Sequence, residues 1–206
     1  SRDCGDDPAW GKRLKDDRSN RLWSRQDRRR LTGEMLRDAL LHCSDSLSQR
    51  KGGPGVRPQL PKEITATLLR NQWQVSKDEA DHRRRSIYLF ARRNLRYPLF
   101  DLFDRPALAE TSALRSVSTT APQSLALLNS GFVVQGAKAL ARRAADGNAT
   151  AVESITFCYR FVLGRLPRPE EMAGALQLVD RGGTPGQGLA DLALALFNFN
   201  EFIYID

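Results

Sequence analysis

Two triplets of consecutive arginines, Arg28-Arg29-Arg30 and Arg83-Arg84-Arg85, with Arg92-Arg93 close behind the second, are the strongest chemical signal in this chain. Of its 32 basic residues 26 are Arg. A guanidinium fork holds a carboxylate through two parallel hydrogen bonds and tolerates burial better than an ammonium does. That chemistry serves internal ion pairing as readily as it serves polyanion capture. Three uses follow. In the first, members of each triplet turn inward and pair with Glu34, Asp38, Asp101 or Asp104, since consecutive helix positions about 100° apart cannot all face one ligand. In the second, the exposed members form a basic patch for a partner domain or an anionic surface such as a sulfated or uronic polysaccharide. In the third, the patch neutralises nucleic-acid phosphates, a use disfavoured by the lack of aromatic residues interleaved with lysine and glycine. The first use is preferred.

Other chemistry is thinly represented. The two histidines, His42 and His82, have no second ligand at a spacing that repeats a known metal site, so surface or helix-end roles are expected. Cys4, Cys43 and Cys158 are odd in number and widely separated, which argues against a disulfide framework, a zinc knuckle or an attached c-type haem. They read as small buried apolar side chains. Ser116, Ser118, Thr119 and Thr120 form a hydroxyl run, yet no neighbouring histidine is present to activate one, and helix capping is the better use. Asp101 and Asp104 lie three apart and resemble an acid-base pair, although carboxylates so placed more often answer arginines such as Arg96 and Arg105. Gly52-Gly-Pro-Gly55 has a proline where an anion cradle needs a backbone N–H, which makes it a turn. No catalytic, cofactor or metal residue is assigned.

The charge is lopsided. The chain of 206 residues carries +8 overall. Residues 1–105 hold 24 Lys and Arg against 15 Asp and Glu, whereas residues 106–206 hold 8 against 9, so the basicity lies entirely in the first half. With 41% hydrophobic and 27% charged residues, composition is that of a globular protein. No run of eighteen apolar residues exists, and Ser1-Arg-Asp-Cys-Gly-Asp-Asp7 has neither an initiator Met nor a signal core, so the chain is expected to begin mid-protein or to be a processed piece.

The elements that must position these residues are mostly helices. Residues 1–20 read as a surface arm, ended by Asn20-Arg-Leu-Trp23, and 21–206 as one helical domain. From Gln26 to about His42 a stripe of Leu31, Met35, Ala39 and Cys43, flanked by Leu36 and Leu40, predicts an amphipathic helix. Gly33 weakens it, while Arg30–Glu34 and Glu34–Arg37 spacings support it. Residues 44–82 form a loop or hinge, broken by Gly52-Gly53-Pro54-Gly55, Pro58 and Pro61, with room for a short strand pair near 56–75; Ile64 to Leu69 reads as a strand or a helical turn, and Trp73 docks the segment. Arg83 to Asn94 predicts a helix with Ile87, Phe90 and Ala91 on one face, followed by a short helix from Leu99 to Phe103. Thr120-Ala-Pro-Gln123 and Thr150-Ala-Val-Glu153 are capping boxes. The first opens a helix to Asn129, and Phe132 to Ala145 restarts it. The second opens a helix striped by Val152, Ile155, Tyr159 and Val162 that stops at Gly164. Pro169-Glu-Glu171 starts another, ending at Gly182-Gly183, and the last, Gln187 to Asn200, buries Leu189, Leu192, Ala193, Leu196 and Phe197. The fold class is mainly α: a multi-helix domain with a long Gly/Pro-rich loop.

Arg84 to Asp104, Ser118-Thr-Thr-Ala-Pro-Gln-Ser-Leu-Ala-Leu-Leu-Asn129, Asn20-Arg-Leu-Trp23, Gly52-Gly-Pro54, Leu163-Gly-Arg165, Pro169-Glu-Glu171 and Phe197-Asn-Phe-Asn-Glu-Phe202 together closely resemble the planctomycete-enriched domain of unknown function fifteen fifty-three. The resemblance covers nearly the whole chain. It implies the later part of a larger domain that closes long exported proteins, hence an extracytoplasmic setting, with haem only on other domains of a parent protein. Where relatives often carry a cysteine, this chain has Thr111-Ser112-Ala113, so no thiol role transfers. The expected function is a non-catalytic accessory or scaffold domain contacting other domains or an anionic polymer. The alternatives are part of a carbohydrate-directed hydrolase completed by upstream sequence, and a nucleic-acid-binding module.

Overall fold

The computed structural model describes residues 10–23, 26–60, 62–66, 72–93, 95, 97–107, 111–183 and 185–205. Helix α1 (Trp10–Asp16) lies in the segment expected to be a surface arm. It is closed by Asp17, whose carboxylate accepts the backbone N–H groups of Arg21 and Leu22 at 2.8 Å each. Strand β1 (Arg29–Arg30) precedes helix α2 (Gly33–Cys43), and the single turn α3 (Lys62–Thr65) and the short α4 (Pro98–Leu102) follow. The carboxyl-terminal half then runs through α5 (Ala121–Asn129), α6 (Gly131–Ala144), α7 (Ala151–Leu163), α8 (Pro169–Arg181), α9 (Pro185–Phe197) and α10 (Asn200–Ile203) into strand β2 (Tyr204–Ile205).

Local chemistry explains most helix ends. Thr150 Oγ1 accepts from Glu153 N at 3.3 Å, while Glu153 Oε2 accepts from Thr150 N at 2.8 Å, a reciprocal cap at the start of α7. That bond from the Thr150 backbone, with a second from its hydroxyl, holds the Glu153 carboxyl below the usual carboxylate range. Gly164 stops the same helix at φ 70, a left-handed conformation that costs glycine little. Pro169 opens α8, and Glu171 accepts from Arg168 N at 2.8 Å.

Helices α6 to α9 pack around one apolar core that includes Leu140, Ile155, Cys158, Leu196 and Phe197, and α2 docks on α6 through Leu36 and Leu40. Each of these side chains is buried. Close approach of α8 and α9 depends on Gly188, where an added Cβ would stand 2.4 Å from the Val179 carbonyl oxygen. The chain's front end is clasped to its tail: β1 pairs antiparallel with β2, Arg30 opposite Tyr204, and Leu31 N donates to Ile203 O at 2.8 Å.

The structure corrects several expectations. Helix α2 begins at Gly33 rather than Gln26, because Arg29 and Arg30 pair with β2 and Thr32 caps the helix through Met35 N. Gly33 is therefore not an internal weak point. A Cβ there would meet Leu99 O and Phe100 Cα at 3.0 Å, so the glycine lets α4 cross the start of α2. Met35 is 41% exposed and Val152 48%, placing both off their expected stripes.

The largest correction concerns residues 83–94. They form two 3-10 turns, Asp81–Arg83 and Ser86–Tyr88, joined by extended backbone, with Asn94 outside the described residues. Their backbone groups are taken by the Gly/Pro-rich segment: Ser48 N donates to Arg83 O at 2.9 Å, Val56 N to Tyr88 O at 2.8 Å, and Phe90 N to Val56 O at 2.8 Å. Ile87 is consequently 77% exposed. The described strand pair joins β1 to β2, while Val56 forms an isolated parallel bridge with Leu89. Lys62–Thr65 is helical, residues 67–71 lie outside the described part, and Trp73 Nε1 donates to Pro58 O at 2.8 Å.

Candidate functional site

Within each triplet one arginine turns inward, where the rest of the fold supplies acceptors for it. Arg30 is buried while Arg29 is exposed; Arg84 is buried while Arg83 and Arg85 are exposed. Arg28, also exposed, lies over the Tyr204 ring at 4.5 Å.

Arg30 anchors the first node. Its guanidinium donates to Asp104 Oδ2 at 2.5 Å, to Gln123 Oε1 at 3.0 Å and to the Ser118 carbonyl. Asp104 also accepts from Ser118 N at 2.8 Å and Ser118 Oγ at 2.7 Å, so one hydroxyl of the Ser-Thr run serves as a brace. Burial pushes the Asp104 carboxyl up, but these bonds from Ser118 and the Arg30 guanidinium outweigh it and hold the group below the usual carboxylate range. A carboxyl so held is a poor general acid at neutral pH. Asp101 stands exposed on α4 and lines an open groove with Asp104 and Arg105. Glu34 does not pair along its own helix as its spacing suggested; it accepts from Arg115 Nη1 at 2.9 Å, with Arg105 Nε at 3.8 Å.

Arg37 anchors the second node, and reading the triplets alone overlooked it. Only 1% exposed, it donates to Arg84 O at 2.9 Å, His82 O at 2.5 Å and Ser86 Oγ at 3.2 Å. Asp38 accepts from both Ser86 N and Ser86 Oγ, at 2.7 and 2.6 Å, with Arg85 Nε at 3.9 Å. Arg84 itself donates to Gly52 O and lies 4.1 Å from the Tyr88 ring centroid. The glycine-proline turn is thus a structural socket for a guanidinium. Arg92 donates to Gln72 O at 2.7 Å, and Arg93 is exposed.

A third node also escaped the triplet search. Arg165 reaches both Glu171 and Glu201 bidentately, with N–O distances from 2.7 to 2.9 Å, tying the α7–α8 connection to α10. The signal was present in Leu163-Gly-Arg165 and Pro169-Glu-Glu171, but Glu201 is 36 residues away. Hydrogen bonding to Arg165 draws the Glu171 carboxyl from its ordinary 4.5 down to about 2 and lowers that of Glu201 as well. Depressed folded-state values stabilise the fold in full above the ordinary range and lose that contribution as pH falls toward about 2. Arg165→Met is expected to lower the melting temperature at neutral pH and to flatten its decline on acidification. Parallel thermal melts of the two proteins from pH 7 to pH 2.5 check this.

Of the histidines, His42 is exposed in the last turn of α2, and His82 Nε2 lies 2.8 Å from Ser76 O. Cys43 and Cys158 are buried, and burial pushes their thiols up to about 11 and about 12; Cys4 lies outside the described residues. Among the described residues no group of three or more His, Cys, Asp and Glu is placed to hold a metal ion. No helix among them is long and apolar enough to cross a membrane.

One open cleft of about 470 Å³ lies between α2, α6, the loop after α2 and the Asp81–Arg83 turn. Arg37, His82, Arg83 and Arg142 line it, with no carboxylate among its described lining residues.

Fold and nodes together define a mainly helical domain braced by inward guanidinium groups. The chain belongs to the family PSD1, protein of unknown function (DUF1553), whose family model matches residues 9–179. No curated protein and no solved structure matches it.

Proposed function

We propose that this chain is a non-catalytic accessory domain of a larger exported protein, which contacts an anionic polymer or a neighbouring domain through the arginines its internal braces leave outside. The supporting observation is the division of labour within the triplets. Arg30 and Arg84 are engaged by carbonyls and carboxylates in the interior, while Arg29, Arg83, Arg85 and Arg93 present charge to solvent. These belong to the half of the chain with excess positive charge, and like charges facing solvent raise the local concentration of an anion.

Retention of the purified chain on immobilised polygalacturonate, measured across a salt series, tests the polymer contact. The expected result is retention at low ionic strength that falls steeply as salt rises, because contacts to a charged polymer release condensed counterions. Absence of retention at low salt overturns the polymer contact and leaves the neighbouring domain as the partner to be sought.

A further inference from the structure

We propose that the arginine-lined cleft is a subsite for a single acidic sugar unit, a hydroxylated ring bearing a carboxylate or a sulfate ester. This rests on the polymer reading above and gives it a location. The volume of about 470 Å³ falls within the size range of small-molecule sites. Its charge is one-sided. Arg83 and Arg142 stand exposed at its mouth, on the Asp81–Arg83 turn and on α6, and Arg37 forms part of its wall.

Arg37 is locked in the wall by its bonds to His82 O and Arg84 O, with Asp38 Oδ1 3.6 Å from its Nη1, so the charge left for a ligand is that of Arg83 and Arg142 at the mouth. His82 contributes a second fixed group. A carbonyl can only accept, so the contact with Ser76 O places a proton on Nε2 and leaves Nδ1 for another partner.

The remaining walls suit a hydroxylated ring. Gln59 and Gln135 offer exposed amides that both donate and accept, and the half-buried rings of Tyr97 and Phe132 provide flat apolar faces. Gly136, in the middle of α6, also lines the cleft, and a Cβ placed on it would meet nothing within 4 Å. A glycine there weakens the helix and fills no packing need, but it widens the space in front of Phe132 and Arg142.

The whole chain, titrated with digalacturonate, galactose 6-sulfate and neutral galactobiose by calorimetry, tests the assignment. At least one acidic ligand is expected to bind and the neutral one to fail; the tighter of the acidic pair identifies the anionic group. Gly136→Gln fills the cleft without removing a cation and replaces a poor helix former, so it should keep the fold while weakening acidic-sugar binding by about tenfold or more. Arg142→Ala should also weaken binding, and Arg181→Ala, at the end of α8 and not part of the cleft lining, should leave it unchanged. Failure of both acidic sugars to bind, or binding undiminished by Gly136→Gln, overturns the subsite. If both acidic sugars fail to bind while polygalacturonate still retains the chain, the cleft is refuted and the surface-arginine reading stands. Sugar binding without polymer retention refutes only the polymer.

Discussion

Replacing Asp104 by alanine is expected to lower the unfolding free energy by about 3–5 kcal/mol, the range found when one partner of a buried ion pair is removed and the other charge stays behind. The Arg30 side chain is 4% exposed, so its charge cannot simply turn out to water. The substitution also strips acceptors from the backbone N–H and the hydroxyl of Ser118. Asp104 sits at φ 58, a conformation that Asp and Asn tolerate better than other side chains, and alanine adds strain there. Asp104→Asn separates these effects. It retains the backbone preference and one acceptor, so its loss should be clearly smaller than that of alanine. Urea unfolding of the three proteins, with equal slopes and displaced midpoints, measures the difference. Since folded stability is about 5–15 kcal/mol, the alanine variant should lose a substantial share of it.

Arg37→Met is expected to cost about 2–5 kcal/mol. Methionine keeps much of the unbranched stem, so the loss reports on the guanidinium's hydrogen bonds and its 3.6 Å ion pair with Asp38. Two carbonyls, His82 O and Arg84 O, lose their guanidinium donors in a place water reaches poorly. The consequence should be local as well as global. Residues 81–90 hold their shape through Arg37 on one side and the bonds to Ser48 and Val56 on the other. Hydrogen exchange at the amides of Val56 and Phe90 should therefore quicken more than exchange at Ile155 in the core. Uniform acceleration at all three sites would contradict a local bracing role. The variant perturbs fold and cleft together, which is why binding is better tested through Gly136 and Arg142.

The amino-acid sequence by itself determined the helices whose ends are closed within a few residues. Thr150 and Glu153, Pro169 with Glu171, and the left-handed Gly164 specify their boundaries because donor and acceptor lie within one turn of chain. The α9 core was legible for a similar reason, its leucines repeating at helical spacing. Candidate carboxylates were legible as types and not as pairs. Glu34 sits in range of Arg37 along the helix, yet its bond is with Arg115, 81 residues away. Only tertiary structure decided that residues 83–93 are not one α-helix, because Ser48 and Val56 supply their backbone partners from a distant segment and periodicity cannot register a competing donor. The same long-range pairing selected Arg30 and Arg84 as interior braces and left their neighbours outside. Side-chain direction follows from backbone conformation, and here that conformation was set by strands and turns meeting across the fold rather than by neighbours along the chain.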